Sequence, residues 1–176
     1  MEQKKSGIPW TSEEDWAEMR LSIAGTALAM GPEAASLQAL SSRIVQKYKE
    51  IDMVLERVCL QSCPSCIEVC CTRATVWYDV RDLLVIYFAT GILPTRQICR
   101  RDDHSCCNLT ATGCSLERVA RPFLCTWYIC PAQKILLGEF SGGESKNMVS
   151  SVINEIKAAR KELEEAYVKA ARDSLL

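Results

Sequence analysis

Apolar residues recur at three- and four-residue spacing in three long stretches, and each stretch predicts a helix with one buried face. In the first, Trp16, Met19, Ile23, Ala27 and Met30 share a face. Thr11 with Glu14 predicts a capping box, in which each side chain satisfies the other's free backbone donor. Gly25 weakens this helix by about 1 kcal/mol, and Gly31-Pro32 ends it. The second stretch runs from about Glu33 to Val58, with Leu37, Leu40, Ile44, Tyr48, Ile51, Leu55 and Val58 in a near-heptad stripe. Arg43, Lys47, Lys49, Glu50 and Arg57 occupy its opposite face, and it delivers the chain directly into Cys59. The third stretch, Glu144 to about Ala171, carries Val149, Val152, Ile156, Ala159, Leu163, Ala166, Tyr167 and Ala170. No one of these helices can bury its stripe alone, so an antiparallel bundle is expected.

Between the second and third stretches the helical period breaks down. Residues 72–78 read as extended or irregular, and Asp79 can cap a short apolar helix that ends before Gly91. Pro94 to Gly113 reads as loop, and Pro131 to Gly143 as a connection with Ser141-Gly142-Gly143 as a flexible break. Residues 1–10 read as a loose arm. The expected fold class is mainly α: a long-helix bundle with an irregular cysteine-rich metal-binding module at one end. The expected organisation is a single domain over 1–176. Within it lie a helical hairpin at 11–58, a cysteine-cluster module at 59–131, and a C-terminal helix at 144–173 packing on the hairpin.

Composition narrows the function classes. A chain of 176 residues with 48% hydrophobic content can bury a sizeable core. The formal charge is -1, from 21 basic and 22 acidic side chains, with no polybasic face or acidic tail. That balance argues against nucleic acid and against an anionic membrane surface as partners. The N-terminus has no apolar run of signal-peptide length, and no stretch approaches the roughly 18 apolar residues of a membrane span. A cytoplasmic protein is expected. The apolar helix faces read as core, with dimerisation or a protein partner left open.

All 11 cysteines lie between Cys59 and Cys130. In a reducing cytosol such a set points to metal binding or redox work rather than disulfides. The odd count also speaks against a fully paired disulfide framework. Soft thiolates, with His104 the only histidine, select zinc, copper(I) or iron–sulfur clusters. Cys63 and Cys66 form a CxxC chelate, and one helical turn would bring Cys66 and Cys70 onto the same face. The side chains of adjacent Cys70 and Cys71 are expected to diverge, which suits two centres or different atoms of one cluster. His104, beside Asp102 and Asp103 in a polar loop, is expected to face solvent. The Cys59-x3-Cys63-x2-Cys66 spacing also matches radical S-adenosylmethionine enzymes. That motif belongs after a strand in a β/α barrel, which this pattern does not support.

The CxxC, the Cys70-Cys71 pair, Gly113-Cys114 and Arg121-Pro122-x-x-Cys125 together resemble a family of zinc- or iron-chelating proteins named for its CxxCxxCC motif. Bacterial flagellin lysine N-methylases are similar to that family. The resemblance covers about residues 63–131. Three residues separate Cys66 from Cys70 where the family usually has two. By motif, the resemblance implies Cys63, Cys66, Cys70, Cys71, Cys107, Cys114, Cys125 and Cys130 as metal ligands. It leaves Cys59, Cys99 and Cys106 unassigned. In its Arg-Pro context Arg121 is expected to donate to sulfur and offset thiolate charge, with a surface salt bridge as the alternative. The cofactor expected is zinc or an iron–sulfur cluster. Cys130-Pro131 is similar to the Cys-Pro that ends ferredoxin-type ligand runs. The function expected is metal binding. A methyltransferase-like or redox activity on a partner protein is the enzymatic alternative, and a metal-stabilised interaction module the structural one. No catalytic base, nucleophile or cosubstrate site is identifiable in the sequence.

Overall fold

The computed structural model describes residues 7–63, 66, 70–111 and 113–174. The loose arm expected over residues 1–10 therefore falls largely outside the described residues. The helical turn expected between Cys66 and Cys70 falls on residues 67–69, also outside them.

The chain is mainly helical with little strand. Helix α1, Glu13–Ala29, buries Trp16, Met19, Ile23 and Ala27, and Met30 is buried just beyond its end. Its cap lies one residue later than the expected Thr11–Glu14 box. Ser12 is the extended N-cap residue, and its hydroxyl accepts from the Asp15 N–H at 3.0 Å. Glu13, Glu14 and Asp15 fill the first turn, where the helix dipole favours negative charge. Replacing Ser12 by alanine should destabilise the protein by about 1 kcal/mol. Urea unfolding checks this, and Thr11→Ala should have a smaller effect because Thr11 does not cap.

Helix α2, Glu33–Ser62, runs one turn beyond the expected end at Val58. Its stripe of Leu37, Ile44, Tyr48, Ile51, Leu55 and Val58 is buried, with Ser41 in the same row and Leu40 only half-buried. Ser41 lies wholly inside because its hydroxyl donates to the Val85 carbonyl at 2.8 Å. The short helix α3, Cys70–Arg73, starts the irregular region. Helix α4, Val80–Thr90, has the expected Asp79 cap, completed into a capping box by Asp82, and ends on Gly91 at φ +74°. That left-handed value favours glycine, which carries no Cβ.

A two-residue hairpin pairs β1, Leu109–Thr110, with β2, Gly113–Cys114, in antiparallel register. A four-residue helix α5, Leu124–Trp127, follows. The segment expected as a plain connection is instead helix α6, Pro131–Glu139, with Pro131 in its first turn and Leu137 buried. Residues 140–143 form a 3-10 turn rather than a flexible break. Helix α7, Glu144–Asp173, closes the chain.

The core differs from the expected trio of long helices. α2 and α7 pack antiparallel, since Arg43 meets Glu162 and Lys47 meets Glu155. The third member at the centre is the short α4, whose Leu83, Leu84, Val85, Ile86 and Phe88 are buried between them. A helix apolar on nearly every side must be enclosed, and this displaces α1 to the outside. α1 attaches through Trp16, whose indole donates to the Pro94 carbonyl at 3.1 Å and lies 6.2 Å from Tyr78. Among the described residues no helix is long and apolar enough to cross a membrane.

Inside this packing lies an ion pair. Arg160 of α7 donates to Asp82 Oδ1 at 2.7 Å and to Asp79 Oδ1 at 3.0 Å, and its guanidinium stacks 4.6 Å from the Phe123 ring centre. The side chains of Arg160 and Asp82 are each 3% exposed. Asp82 also accepts from the Phe123 N–H at 2.8 Å. The bundle is thereby fastened to the segment that leads into Cys125.

Candidate metal centre

The α2 stripe continues without interruption into the cysteine region. Cys59 stands four residues after Leu55, and Cys63 four after Cys59, so the three share one helix face. Cys63 is the C-cap of α2, its N–H bonded to the Cys59 carbonyl at 2.8 Å. Cys70 and Cys71 open α3, and the Cys106 N–H donates to the Cys71 carbonyl at 2.8 Å, tying α3 to the following loop. Arg100 and Cys106 form an antiparallel bridge that sets Cys99 opposite Cys107, whose N–H meets the Cys99 carbonyl at 3.1 Å. Cys114 ends β2, Cys125 lies in α5, and Cys130 is the N-cap of α6.

Eight thiols from these segments line one cavity of about 190 Å³: Cys59, Cys63, Cys70, Cys71, Cys99, Cys106, Cys114 and Cys125. Early and late cysteines therefore converge. Of the motif-matched set, Cys63, Cys70, Cys71, Cys114 and Cys125 face the cavity, and Cys66, Cys107 and Cys130 stand off it. The three unassigned by the motif, Cys59, Cys99 and Cys106, face it. All 11 cysteines are free thiols. Contrary to the expected divergence, Cys70 and Cys71 both face the cavity. Apolar walls come from Leu55, Val76, Ile98, Leu116 and Leu124.

Arginines hold the irregular segments in place where no apolar core does. Arg100 donates to the carbonyls of Thr72, Ala74 and His104. Arg101 donates to those of Cys107 and Leu109, each at 2.9 Å. Arg118, 5% exposed, pairs with Asp52 at 2.5 Å and Glu56 at 2.7 Å on α2. Arg121 shares Glu56 at 2.9 Å and donates to the Leu116 carbonyl at 2.8 Å. Arg118 and Arg121 line the cavity, as does Gln133 of α6, but the Arg121 bonds go to Glu56 and the Leu116 carbonyl rather than to sulfur as expected. Arg118 and Gln133 were not legible as site residues, since neither belongs to a cysteine motif. His104 is exposed, in a tight turn at φ +65°.

The thiols act on one another. A hydrogen bond from the Cys59 thiol brings Cys63 down to about 6, and the same bond, with burial, pushes Cys59 up. Cys70 is brought down to about 7 by its bond from Cys71, which is itself pushed up. Cys125 opens onto the cavity, yet the protein around it pushes its thiol up to about 12, helped by the negative charge of Cys114, Cys106 and Cys70. Without a cation, each thiolate in this cluster opposes the next. Among the described residues, no three His, Cys, Asp or Glu side chains already stand in position to ligate one ion. Thr126, 1% exposed and lining the cavity, has a hydroxyl without a hydrogen-bond partner among the described residues.

No protein-family model, curated protein or solved structure matches the chain. The resemblance to the CxxCxxCC family rests on its motif residues alone.

Proposed function

We propose that the protein binds metal through the thiolates of this cavity. The observation that carries the reading is the convergence of eight free thiols from the ends of α2 and the 70–125 region on one small space. Sulfur-only donors suit zinc and iron–sulfur chemistry. The mutual opposition of the thiolates is what a bound cation relieves, and metal uptake should release protons as the thiols ionise. The Gln133 amide donates toward sulfur and the unpartnered Thr126 hydroxyl lines the same cavity, while the Arg118 and Arg121 guanidinium groups beside them are paired with Asp52 and Glu56. Metal binding and the local folding of such sites are coupled, so the thiols need not stand preassembled.

The number of thiols favours a polynuclear centre. A single tetrahedral zinc takes four sulfurs at about 2.3 Å, and eight cysteines line the cavity. Two zinc ions, or iron–sulfur chemistry, make fuller use of them. When bound, the centre would supply electron transfer if iron–sulfur, or a structural clamp if zinc. Anaerobic purification followed by metal, sulfide and visible-absorption analysis tests this. The expected result is coloured protein containing iron and labile sulfide. Colourless protein with zinc alone would replace the cluster by zinc. Protein with neither metal and all thiols reactive would overturn metal binding itself.

A further inference from the structure

Building on that reading, we propose that Cys59 is a metal ligand, paired with Cys63 in a two-thiolate arm on the end of α2 whose sulfurs are oriented by Gln133. The cysteine motif draws attention to Cys63 and Cys66, yet Cys66 stands off the cavity while Cys59 and Cys63 both face it. Their spacing of four residues puts the two sulfurs on one face of a regular helix, as a chelating pair requires. α2 is anchored along its length by Leu37, Ile44, Ile51 and Val58 in the core. A ligand on this helix is thus held by the bundle, whereas every other cavity thiol comes from short elements or loops.

Gln133 gives the second, independent observation. Its side chain is 9% exposed, and its amide N–H group donates to Cys59 Sγ at 3.4 Å and approaches Cys63 Sγ at 3.9 Å. Its carbonyl oxygen is occupied by the Cys130 N–H at 3.2 Å, which fixes the amide so that its donor faces sulfur. Donors of this kind orient ligands and stabilise the anionic form that metal needs. Gln133 acts through the two sulfurs and is a positioning residue.

The test is anaerobic titration of the 176-residue chain with cobalt(II), following the thiolate-to-cobalt charge-transfer absorption. Cys59→Ser should reduce the absorption per bound ion and weaken binding at least about 10-fold. Gln133→Leu should keep all thiolates and the number of ions bound, but weaken affinity by about 10–100-fold and shift the band energy. A purely structural role for Gln133 would lower the thermal midpoint of the metal-free protein without moving the band. Circular dichroism of the metal-free variants confirms that α2 is intact. Cobalt binding by Cys59→Ser equal to that of the unaltered protein, in affinity and spectrum, overturns this inference and leaves the metal reading standing. Absence of cobalt binding by the unaltered protein overturns both.

Discussion

Replacing Arg160 by methionine should lower the free energy of unfolding by about 3–5 kcal/mol, the range seen when one partner of a buried ion pair is removed. For a chain of this length that is a fall in melting temperature of roughly 6–20 °C, at 2–4 °C per kcal/mol. The size follows from burial: the Arg160 and Asp82 side chains are each 3% exposed, and they meet at 2.7 Å. Methionine would fill much of the volume over Phe123 but would leave the Asp82 carboxylate without its countercharge. Burial already pushes that carboxyl up to about 6, against the pull of Arg160. A raised acid binds its proton more tightly in the folded than in the unfolded state. Its contribution is therefore fully present below the unfolded value near 3.8 and is lost as pH rises through about 6. The Arg160→Met deficit should accordingly be largest above neutrality and narrow as pH falls through about 6, where folded Asp82 becomes neutral. The double variant Asp82→Asn with Arg160→Met should recover part of the loss, since no buried carboxylate remains. Urea unfolding across pH 5–8 measures all three. A deficit below about 1 kcal/mol at pH 8 would remove the pair from the stabilising interactions.

Arg160 also shows where the sequence is silent. An arginine inside a helical stripe reads as a solvent position, and its burial depends on Asp82 and Asp79, 78 and 81 residues away in the chain. The stripes of α1, α2 and α7 were legible because apolar period and burial express the same requirement. So was the Asp79 cap with Gly91 as terminator, since both residue types have a local reason to sit there. The central position of α4 had a signal too: Leu83-Leu84-Val85-Ile86 is apolar on every side, which only an enclosed helix tolerates. Helix α6 had almost none, with Leu137 its single buried apolar side chain and Gly138 beside it.

The candidate site divides along the same line. Spacing marks the cysteines as a group, at short intervals of the kind a chelating site uses. It does not tell which sulfurs turn inward. Cys59 was readable as part of the α2 stripe once cysteine is counted as a small apolar residue. The inward placement of Cys99 and Cys106 depends on the Arg100–Cys106 bridge and the arginine contacts around it, which leave no mark in local pattern.

Removing metal from the loaded protein should loosen residues 94–131 far more than α2, α4 and α7. The helical bundle holds its own apolar core. Between Leu93 and Leu137, by contrast, Pro122 is the only buried apolar residue among the described ones. The other buried side chains there are Ser105, Arg118, Thr126 and Gln133, all polar. Hydrogen bonds from Arg100, Arg101 and Arg118 organise this region, and each such bond contributes only about 1.5–3 kcal/mol net. Ligand bonds operate on another scale, with structural zinc supplying about 10–16 kcal/mol in small domains. The bound centre would therefore dominate the stability of the cysteine region, while the bundle would stay folded without it. Hydrogen exchange before and after anaerobic chelation reads this directly. Amides of residues 94–111 and 113–131 should lose most of their protection, and those of Leu37–Leu55 and Val149–Leu163 should keep theirs. Full protection across 94–131 in metal-free protein would mean that the arginine and backbone contacts suffice. Equal loss in both regions would mean that the bundle depends on the cysteine region for its own packing, through the Asp82–Phe123 bond and the Arg160 stack.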